Sequence, residues 1–258
     1  MLINTIILLL RDALPVFWML SLLLAQGNSQ ALSRRWLWGG VSLGLMLAII
    51  LMVNVGWVSE QFQGAGLEWL TFAAHALIYA LVAELVLRSH LGRYRYWQLS
   101  AALLCVLTIA INGNYFLIYL DTYWRNAEHM LSLISGTLLG LGVCISAGIL
   151  NYLFNYALLQ RGKRLLWAGL LLCWSAGQWV YTFNLMAQVN LMSSAAPIWN
   201  TSNWVADGSE WGLVLNTLVG YEATPTGLQI LVYVLCTVLP LAFLVRIPAG
   251  QLCNEVSE

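Results

Sequence analysis

The sequence predicts an all-α fold, a polytopic membrane protein built as a bundle of seven transmembrane helices. Of its 258 residues, 60% are hydrophobic and only 9% are charged, whereas soluble domains carry roughly 25% charged residues. Seven apolar segments are each long enough to cross a bilayer core of about 30 Å, which takes about 20 helical residues. Together, these observations exclude an ordinary soluble protein.

The predicted spans follow one another with short connections except before the last. The first segment is a helix and not a signal peptide, because it lacks a basic n-region and holds Arg11 and Asp12 in its middle. Residues 1–248 then form a single transmembrane domain with an external loop at 188–227 and a short cytoplasmic tail at 249–258. The spans cover residues about 2–25, 36–58, 67–88, 97–120, 130–158, 165–187 and 228–247.

Within the long external loop, one stretch is apolar enough to form a short helix of its own. It runs over residues 209–219 and is bounded by Gly208 and Gly220. Such a helix either lies in the membrane interface or packs as a cap over the bundle.

The basic residues predict the orientation. Nine of the eleven lie in loops or at helix ends on one side of the bundle, and the opposite loops hold only Arg125. By the positive-inside rule the N-terminus is outside and the C-terminus is cytoplasmic. The nine are Arg34, Arg35, Arg88, Arg93, Arg95, Arg161, Lys163, Arg164 and Arg246.

Tryptophans near the ends of the spans are typical of the aromatic belts at the two membrane interfaces. We therefore expect most of them to anchor the bundle at the headgroup level. The tryptophans concerned are Trp36, Trp38, Trp57, Trp69, Trp97 and Trp167.

Several function classes find no support in the sequence. Lys and Arg balance Asp and Glu at 11 each, so no basic block exists that could bind nucleic acid. The five cysteines are widely spaced without a Cys-x-x-Cys pair, which argues against a zinc site or a disulfide framework. Motifs of hydrolases, metalloproteases, P-loop proteins and dinucleotide-binding enzymes are absent. We expect no enzyme activity and no permanently bound cofactor.

Arg11 and Asp12 are the strongest functional signal. They lie about ten residues into the first span, roughly 15 Å from its start and thus near the midplane. A charge there costs about 2.5 to 3.5 kcal/mol on insertion scales, so it is retained when it is paired or faces a polar path. Adjacent side chains diverge by about 100° on a helix, so each is expected to need a partner on another span. An ion-pair network that only holds the bundle together remains an equal alternative.

Other polar residues mark spans 3 and 4. Glu68 is either a first contact for a cation at the external mouth or a helix N-terminal residue favoured by the dipole. His75 is either a hydrogen-bonded interior histidine or a ligand. Asn112 and Asn114 either bond across helices or line a polar conduit.

The chain resembles the oxidase-dependent iron permease family, which in bacteria includes the ferrous-iron uptake permeases. The segment Leu-Arg-Asp-Ala-Leu-Pro at 10–15 lies where the family has Arg-Glu-Gly-Leu-Glu in span 1. The most specific match is Gly-Tyr-Glu-Ala-Thr-Pro at 220–225, which with the flanking Ile-Trp-Asn-Thr-Ser at 198–202 is similar to the family's Gly-Tyr-x-x-x-Pro element. Glu68 matches an acidic position at the start of span 3.

The two acidic motifs of that family are incomplete here. Pro15 occupies the second acidic position of the first copy, so Asp12 is the one motif carboxylate left. The second copy aligns with Ile-Asn-Gly-Asn-Tyr at 111–115, and a competing alignment uses Arg-Asn-Ala-Glu-His at 125–129. In the family, two carboxylates three residues apart share one helix face, and their hard oxygens suit a hard iron cation.

The resemblance implies a permease of the cell inner membrane that transports an iron ion and has a periplasmic iron-binding or oxidase protein as a partner. Its route would use Asp12, Glu68, His75 and Asp121 or Glu128, with Arg11 beside them and Asn112 and Asn114 in place of lost carboxylates. The alternatives are a non-conducting permease-like subunit of an iron-uptake complex, as a homo- or hetero-oligomer, and a transporter of another solute.

Overall fold

A computed structural model describes residues 2–32, 34–92, 94, 96–124, 130–191 and 196–246. This part of the chain is all-α and contains no strand, only an isolated bridge between Pro197 and Thr226. The predicted tail at 249–258 lies outside the described residues. The helices are α1 (Leu2–Ser29), α2 (Arg35–Val53), α3 (Val55–Gly64), α4 (Gly66–His90), α5 (Trp97–Trp124), α6 (Met130–Gln160), α7 (Arg164–Gln188), α8 (Glu210–Val219) and α9 (Gly227–Arg246).

Six helices of the described chain are long and apolar enough to cross a membrane: α1, α2, α4, α5, α6 and α9. The chain is thus a multi-pass membrane protein. The predicted span at 165–187, the sixth in order, corresponds to α7, which is 25 residues long but is not among the six. Polar residues such as Gln178, Thr182 and Asn184 interrupt its apolar run.

The second predicted span is shorter than expected. The helix ends at Val53, and a separate helix, α3, begins at Val55. Asn54 lies at the junction, where its side-chain Nδ2 donates to the Ile50 carbonyl at 2.7 Å. The remaining 19 residues of α2 span about 28 Å at 1.5 Å per residue, still close to the thickness of a bilayer core.

The short helix expected in the long loop is present as α8. Ser209 caps its N-terminus, since its Oγ accepts a hydrogen bond from the Gly212 N–H at 3.0 Å. Gly220 ends it in the left-handed conformation with φ of 72°, which costs glycine little. The helix packs against α1 and α7, so it forms a cap on the bundle.

Two parallel helix pairs, α1 with α6 and α2 with α5, form the framework. Glycines permit the close approach in both. A Cβ on Gly44 of α2 would lie 2.9 Å from the Ile109 Cβ of α5, and a Cβ on Gly140 of α6 would lie 3.2 Å from the Leu9 Cβ of α1. In chain order, α1 and α2 come early and α5 and α6 come later. The first helix of each of these two groups thus pairs with the second helix of the other group.

Seven of the nine basic residues that predict the orientation gather at one end of the bundle, which we call the basic end, and Arg93 and Arg95 lie outside the described residues. Near the C-terminus of α1, Gln26 donates to the Ser89 hydroxyl of α4 at 2.6 Å, and the Trp167 indole of α7 donates to the Leu22 carbonyl at 2.9 Å. The described basic residues there are Arg34, Arg35, Arg88, Arg161, Lys163, Arg164 and Arg246. The loops at the opposite end carry Asp207, Glu210 and Glu222.

The expectation that the end-of-span tryptophans are surface anchors is wrong for three of them. Trp36, Trp97 and Trp167 are buried, and the rings of Trp36 and Trp97 meet edge to face at 5.6 Å. Near the basic end, these rings fill gaps between helices. Trp38, Trp57 and Trp69 are exposed as expected.

We expect Gly44→Leu to destabilise the protein by about 1 to 3 kcal/mol, because the added side chain cannot enter the α2–α5 contact without moving a helix. The matched control is Gly39→Leu, since nothing lies within 4 Å of a Cβ at Gly39. Thermal unfolding of both variants in one detergent measures the difference. Equal transition temperatures would contradict the glycine-dependent packing.

Candidate functional site

A polar cavity of about 510 Å³ lies between α1, α4, α5, α7 and the cap formed by α8 and its flanking loops. It extends from the exposed Asp207 and Gly208 to buried side chains in the middle of the helices. The lining residues are Arg11, Asp12, Thr71, His75, Ile111, Asn112, Tyr115, Gln178, Tyr181, Asn184, Leu185, Asp207, Gly208, Leu213, Asn216, Thr217 and Glu222.

Four of the eight candidates named from the sequence line this one cavity: Arg11, Asp12, His75 and Asn112. They come from three helices, α1, α4 and α5. Glu68, Asn114 and Asp121 do not line it, and Glu128 lies outside the described residues, as does the competing motif alignment at 125–129.

Arg11 and Asp12 bind each other, so the expectation that each needs a partner on another span is wrong. The Arg11 Nε lies 2.7 Å from one Asp12 oxygen, and Nη2 lies 3.2 Å from the other. The two Cα–Cβ bonds diverge, but the long arginine side chain bends back around the helix and its planar fork matches the carboxylate. The Asp12 side chain is 6% exposed, whereas that of Arg11 is 45% exposed and lines the cavity.

His75 is fixed by its own helix. Its Nδ1 lies 2.8 Å from the Thr71 carbonyl oxygen, which can only accept, so Nδ1 carries a proton. In the neutral ring Nε2 is then an acceptor, and it has no hydrogen-bond partner in the described part of the chain. The buried ring is therefore held in one tautomer at the cavity wall.

The two asparagines of α5 differ in their surroundings. Asn112 donates its Nδ2 to the Thr108 carbonyl at 2.9 Å, which leaves its oxygen for the cavity side. Asn114 is buried, and its Oδ1 has no hydrogen-bond partner among the described residues. Tyr115 connects α5 to α4, because its hydroxyl lies 2.8 Å from that of Thr71.

The cap is attached to α7 and α9 through Glu222. One of its oxygens accepts from the Asn184 amide at 2.8 Å and the other from the Gln229 amide at 3.0 Å. Gln229 also donates to the Asn184 oxygen at 2.7 Å. A second contact joins Gln178 of α7 to the Thr217 carbonyl of α8 at 3.1 Å. These bonds close the cavity on the side of α7.

Backbone approach fixes the cap at the same place. A Cβ on Gly177 of α7 would lie 2.5 Å from the Cα of Gly220, so only glycine permits this contact. Asp207 holds the neighbouring loop, since its Oδ1 accepts from the Ala223 N–H at 2.7 Å. The Gly-Tyr to Pro element, singled out from the sequence, therefore forms the junction between the cap and α7.

The amides of α7 and the acids of the cap are not among the site residues predicted from the sequence. Thr71, Tyr181 and Asn216 were not predicted either, and Tyr115 entered only as the last residue of the aligned stretch at 111–115. Thr71 and His75 lie one turn apart on α4, which is the signal that could have identified Thr71. Polar residues at helical spacing in α7 gave a similar signal at Gln178, Tyr181 and Asn184.

Glu222, the half-buried acid of the cap, has a raised pKa. Burial raises the pKa of Glu222 above its ordinary value of 4.5, and the nearby Asp207 raises it further, while the hydrogen bonds from Asn184 and Gln229 lower it. The raising effects dominate. Glu222 therefore takes up a proton at a higher pH than a free glutamate does.

In the described parts of the chain, no three His, Cys, Asp or Glu side chains come together in a group that could hold a metal ion. The four described cysteines, Cys105, Cys144, Cys173 and Cys236, are free thiols, and Cys253 lies outside the described residues. No protein-family model, curated protein or solved structure matches the chain.

Because Glu222 binds its proton more tightly in the folded protein than in the unfolded chain, stability falls as the pH rises from 4.5 through the raised native pKa. We expect Glu222→Gln to remove this slope while lowering stability at all pH values, since one amide loses its acceptor. The measurement is the thermal transition in detergent at a series of pH values.

The matched control for that titration is Glu210→Gln, because Glu210 is an exposed acid on the same cap. It should leave the wild-type slope in place. A wild-type slope retained by Glu222→Gln would assign the pH dependence to another group.

Proposed function

We propose that the chain is a permease of the cell inner membrane, crossing it with α1, α2, α4, α5, α6, α7 and α9, and that its polar cavity binds a cation for transport. One observation carries the proposal. The cavity runs from the exposed Asp207 to the buried side chains of Asp12 and His75. A polar, charged cavity within a helix bundle is a substrate pathway by default, because such groups are costly in lipid.

Including α7 as a seventh span is supported by its position. Its 25 residues reach about 37 Å at 1.5 Å per residue, enough to cross the bilayer core. Many of its residues are buried against other helices, and its polar residues Gln178, Tyr181 and Asn184 line the cavity. The mean hydropathy of α7 is low because these polar residues face the cavity.

The orientation follows from the basic end. Positive residues accumulate on the cytoplasmic side of membrane proteins, so the N-terminus is outside and the cavity opens outward, on the side of Asp207 and Glu222. A solute that enters from outside then reaches the mouth of the cavity before it reaches the buried residues.

The sign of the charge favours a cation. Three carboxylates line the cavity, those of Asp12, Asp207 and Glu222, against one guanidinium, that of Arg11. Since Arg11 neutralises Asp12, the two acids of the cap give the mouth a negative potential. Such a potential raises the local concentration of cations and repels anions.

The proposed cation is an iron ion, as the resemblance to the iron permeases implies. It is supported by the position of the two motif copies: Asp12 of the first and Asn112 of the second line the same cavity, as two halves of one binding site would. Carboxylate and amide oxygens suit a hard cation. Pro15 and Asn112 replace motif acids, so the proposed site has fewer charged ligands than the family pattern.

A second candidate function is that of a non-conducting permease-like subunit, partnered with a complete permease. The ion pair between Arg11 and Asp12 favours it, because the one motif carboxylate that remains is already neutralised within its own helix. Transport by the purified chain alone separates the two candidates.

Reporter fusions test the orientation. We expect cytoplasmic activity from fusions at residues 30, 92 and 162 and external activity from a fusion at residue 205, because the first three lie at the basic end. A cytoplasmic signal at residue 205 would contradict both the orientation and the outward-facing cavity.

Asp12→Asn keeps the size of the side chain and removes its charge, so under the transport proposal it should reduce radio-iron uptake into proteoliposomes about tenfold or more, because the cation loses a charged oxygen ligand. Asp12→Glu should retain part of the uptake. Glu84→Gln is the matched control, because Glu84 pairs with Arg88 at the basic end, outside the cavity.

Three outcomes are decisive. Uptake that survives Asp12→Asn would refute the assignment of Asp12 as a ligand. Failure of both Asp12 variants to accumulate in the membrane would make the pair structural. Absence of uptake by the well-folded wild type, together with copurification with a complete permease, would favour the non-conducting subunit.

A further inference from the structure

A second cavity lies at the opposite end of the protein, on its outer face. It is a crevice of about 570 Å³, within the range of about 300 to 1,000 Å³ of small-ligand sites. Its walls are α2 and α6, which do not pack against each other, and its floor is α1. The lining residues are Phe17, Leu20, Ser21, Leu24, Asn28, Arg34, Leu37, Trp38, Val41, Ile145, Gly148, Ile149 and Tyr152.

The crevice is apolar along most of its length and polar at the basic end. There, Arg34 Nη2 donates to the Asn28 oxygen at 3.3 Å, and the Asn28 amide donates to the Tyr152 hydroxyl at 2.8 Å. This chain of three residues joins all three helices. Arg34 brings a positive charge, and no acidic residue lines the crevice.

The shape arises from the helix pairing. Since α2 is held by α5 and α6 is held by α1, the two walls stand apart over α1. Gly148 leaves room in the crevice because it has no side chain, and a Cβ there would lie 3.4 Å from the Phe17 Cβ. Ile149 and Trp38 on its rim are exposed, in a region where the surrounding solvent is lipid.

We propose that this crevice binds one phospholipid with an anionic headgroup, taken from the leaflet at the basic end. The acyl chain lies on α1 between α2 and α6, and the phosphate accepts hydrogen bonds from the Arg34 guanidinium and the Tyr152 hydroxyl. A basic residue at the end of an apolar crevice between helices is complementary to such a lipid in both charge and polarity. The proposal does not depend on what the polar cavity transports.

The test is native mass spectrometry of the delipidated protein, offered phosphatidylglycerol or phosphatidylcholine of the same chain length. The wild type should retain phosphatidylglycerol about fivefold better, as one cation beside a headgroup of net negative charge implies, because the choline of phosphatidylcholine cancels the charge of its phosphate. Arg34→Gln should abolish the preference. Arg161→Gln, an exposed arginine at the same end and outside the crevice, should keep it.

A second pair of variants tests the acyl-chain site without touching the charge. Ile149→Trp fills the crevice and should reduce retention of both lipids, whereas Leu150→Trp on the adjacent exposed face should not. Equal retention of the two lipids by the wild type would overturn the proposal. So would matching results for Arg34→Gln and Arg161→Gln, or for the two tryptophan variants.

Discussion

The pairing of Arg11 with Asp12 is the constraint on which much of the structure depends. A carboxylate in the middle of a membrane helix must be neutralised or hydrated, and here the neighbouring guanidinium does the first while the cavity does the second. Because nearly half of the Arg11 side chain is exposed, polar surface must surround it. The amides and hydroxyls of α4, α5 and α7 supply that surface. The charged residues of α1 therefore explain why these three helices carry polar residues on the faces that line the cavity.

The cap follows from the same requirement. A polar cavity that opened sideways would expose its lining to lipid, where unsatisfied groups are costly. The contact of Gly177 with Gly220 and the bonds of Glu222 to Asn184 and Gln229 seal one side. Glu222, which seals this side, is also one of the two acids at the mouth of the cavity, so closure and the proposed preference for a cation would depend on the same residue.

The sequence predicted the helical class and four cavity residues because single residues carry those signals. The energetic cost of Arg11 and Asp12 in lipid, and the polar character of His75 and Asn112, are visible without coordinates. The Glu222 cluster was not predictable, since Asn184 and Gln229 lie 38 and 7 positions away and nothing local links them. Trp97 and Trp167 were misjudged because a tryptophan near a helix end suits an interface and a core equally well. The division at Asn54 was missed because the mean hydropathy of a long apolar segment does not show where one helix ends and the next begins.

The crossed pairing of the helices has a consequence for biogenesis. The partner of α1 is α6, which begins at Met130, so a ribosome adding about 5 to 20 residues per second delivers it on the order of ten seconds after α1 is made. During that interval α1 lacks the cavity whose other polar residues surround its charges in the finished protein. An ion pair formed within one helix needs no later segment. Adjacent opposite charges thus give the nascent helix its own counterion, and membrane insertion does not have to wait for assembly.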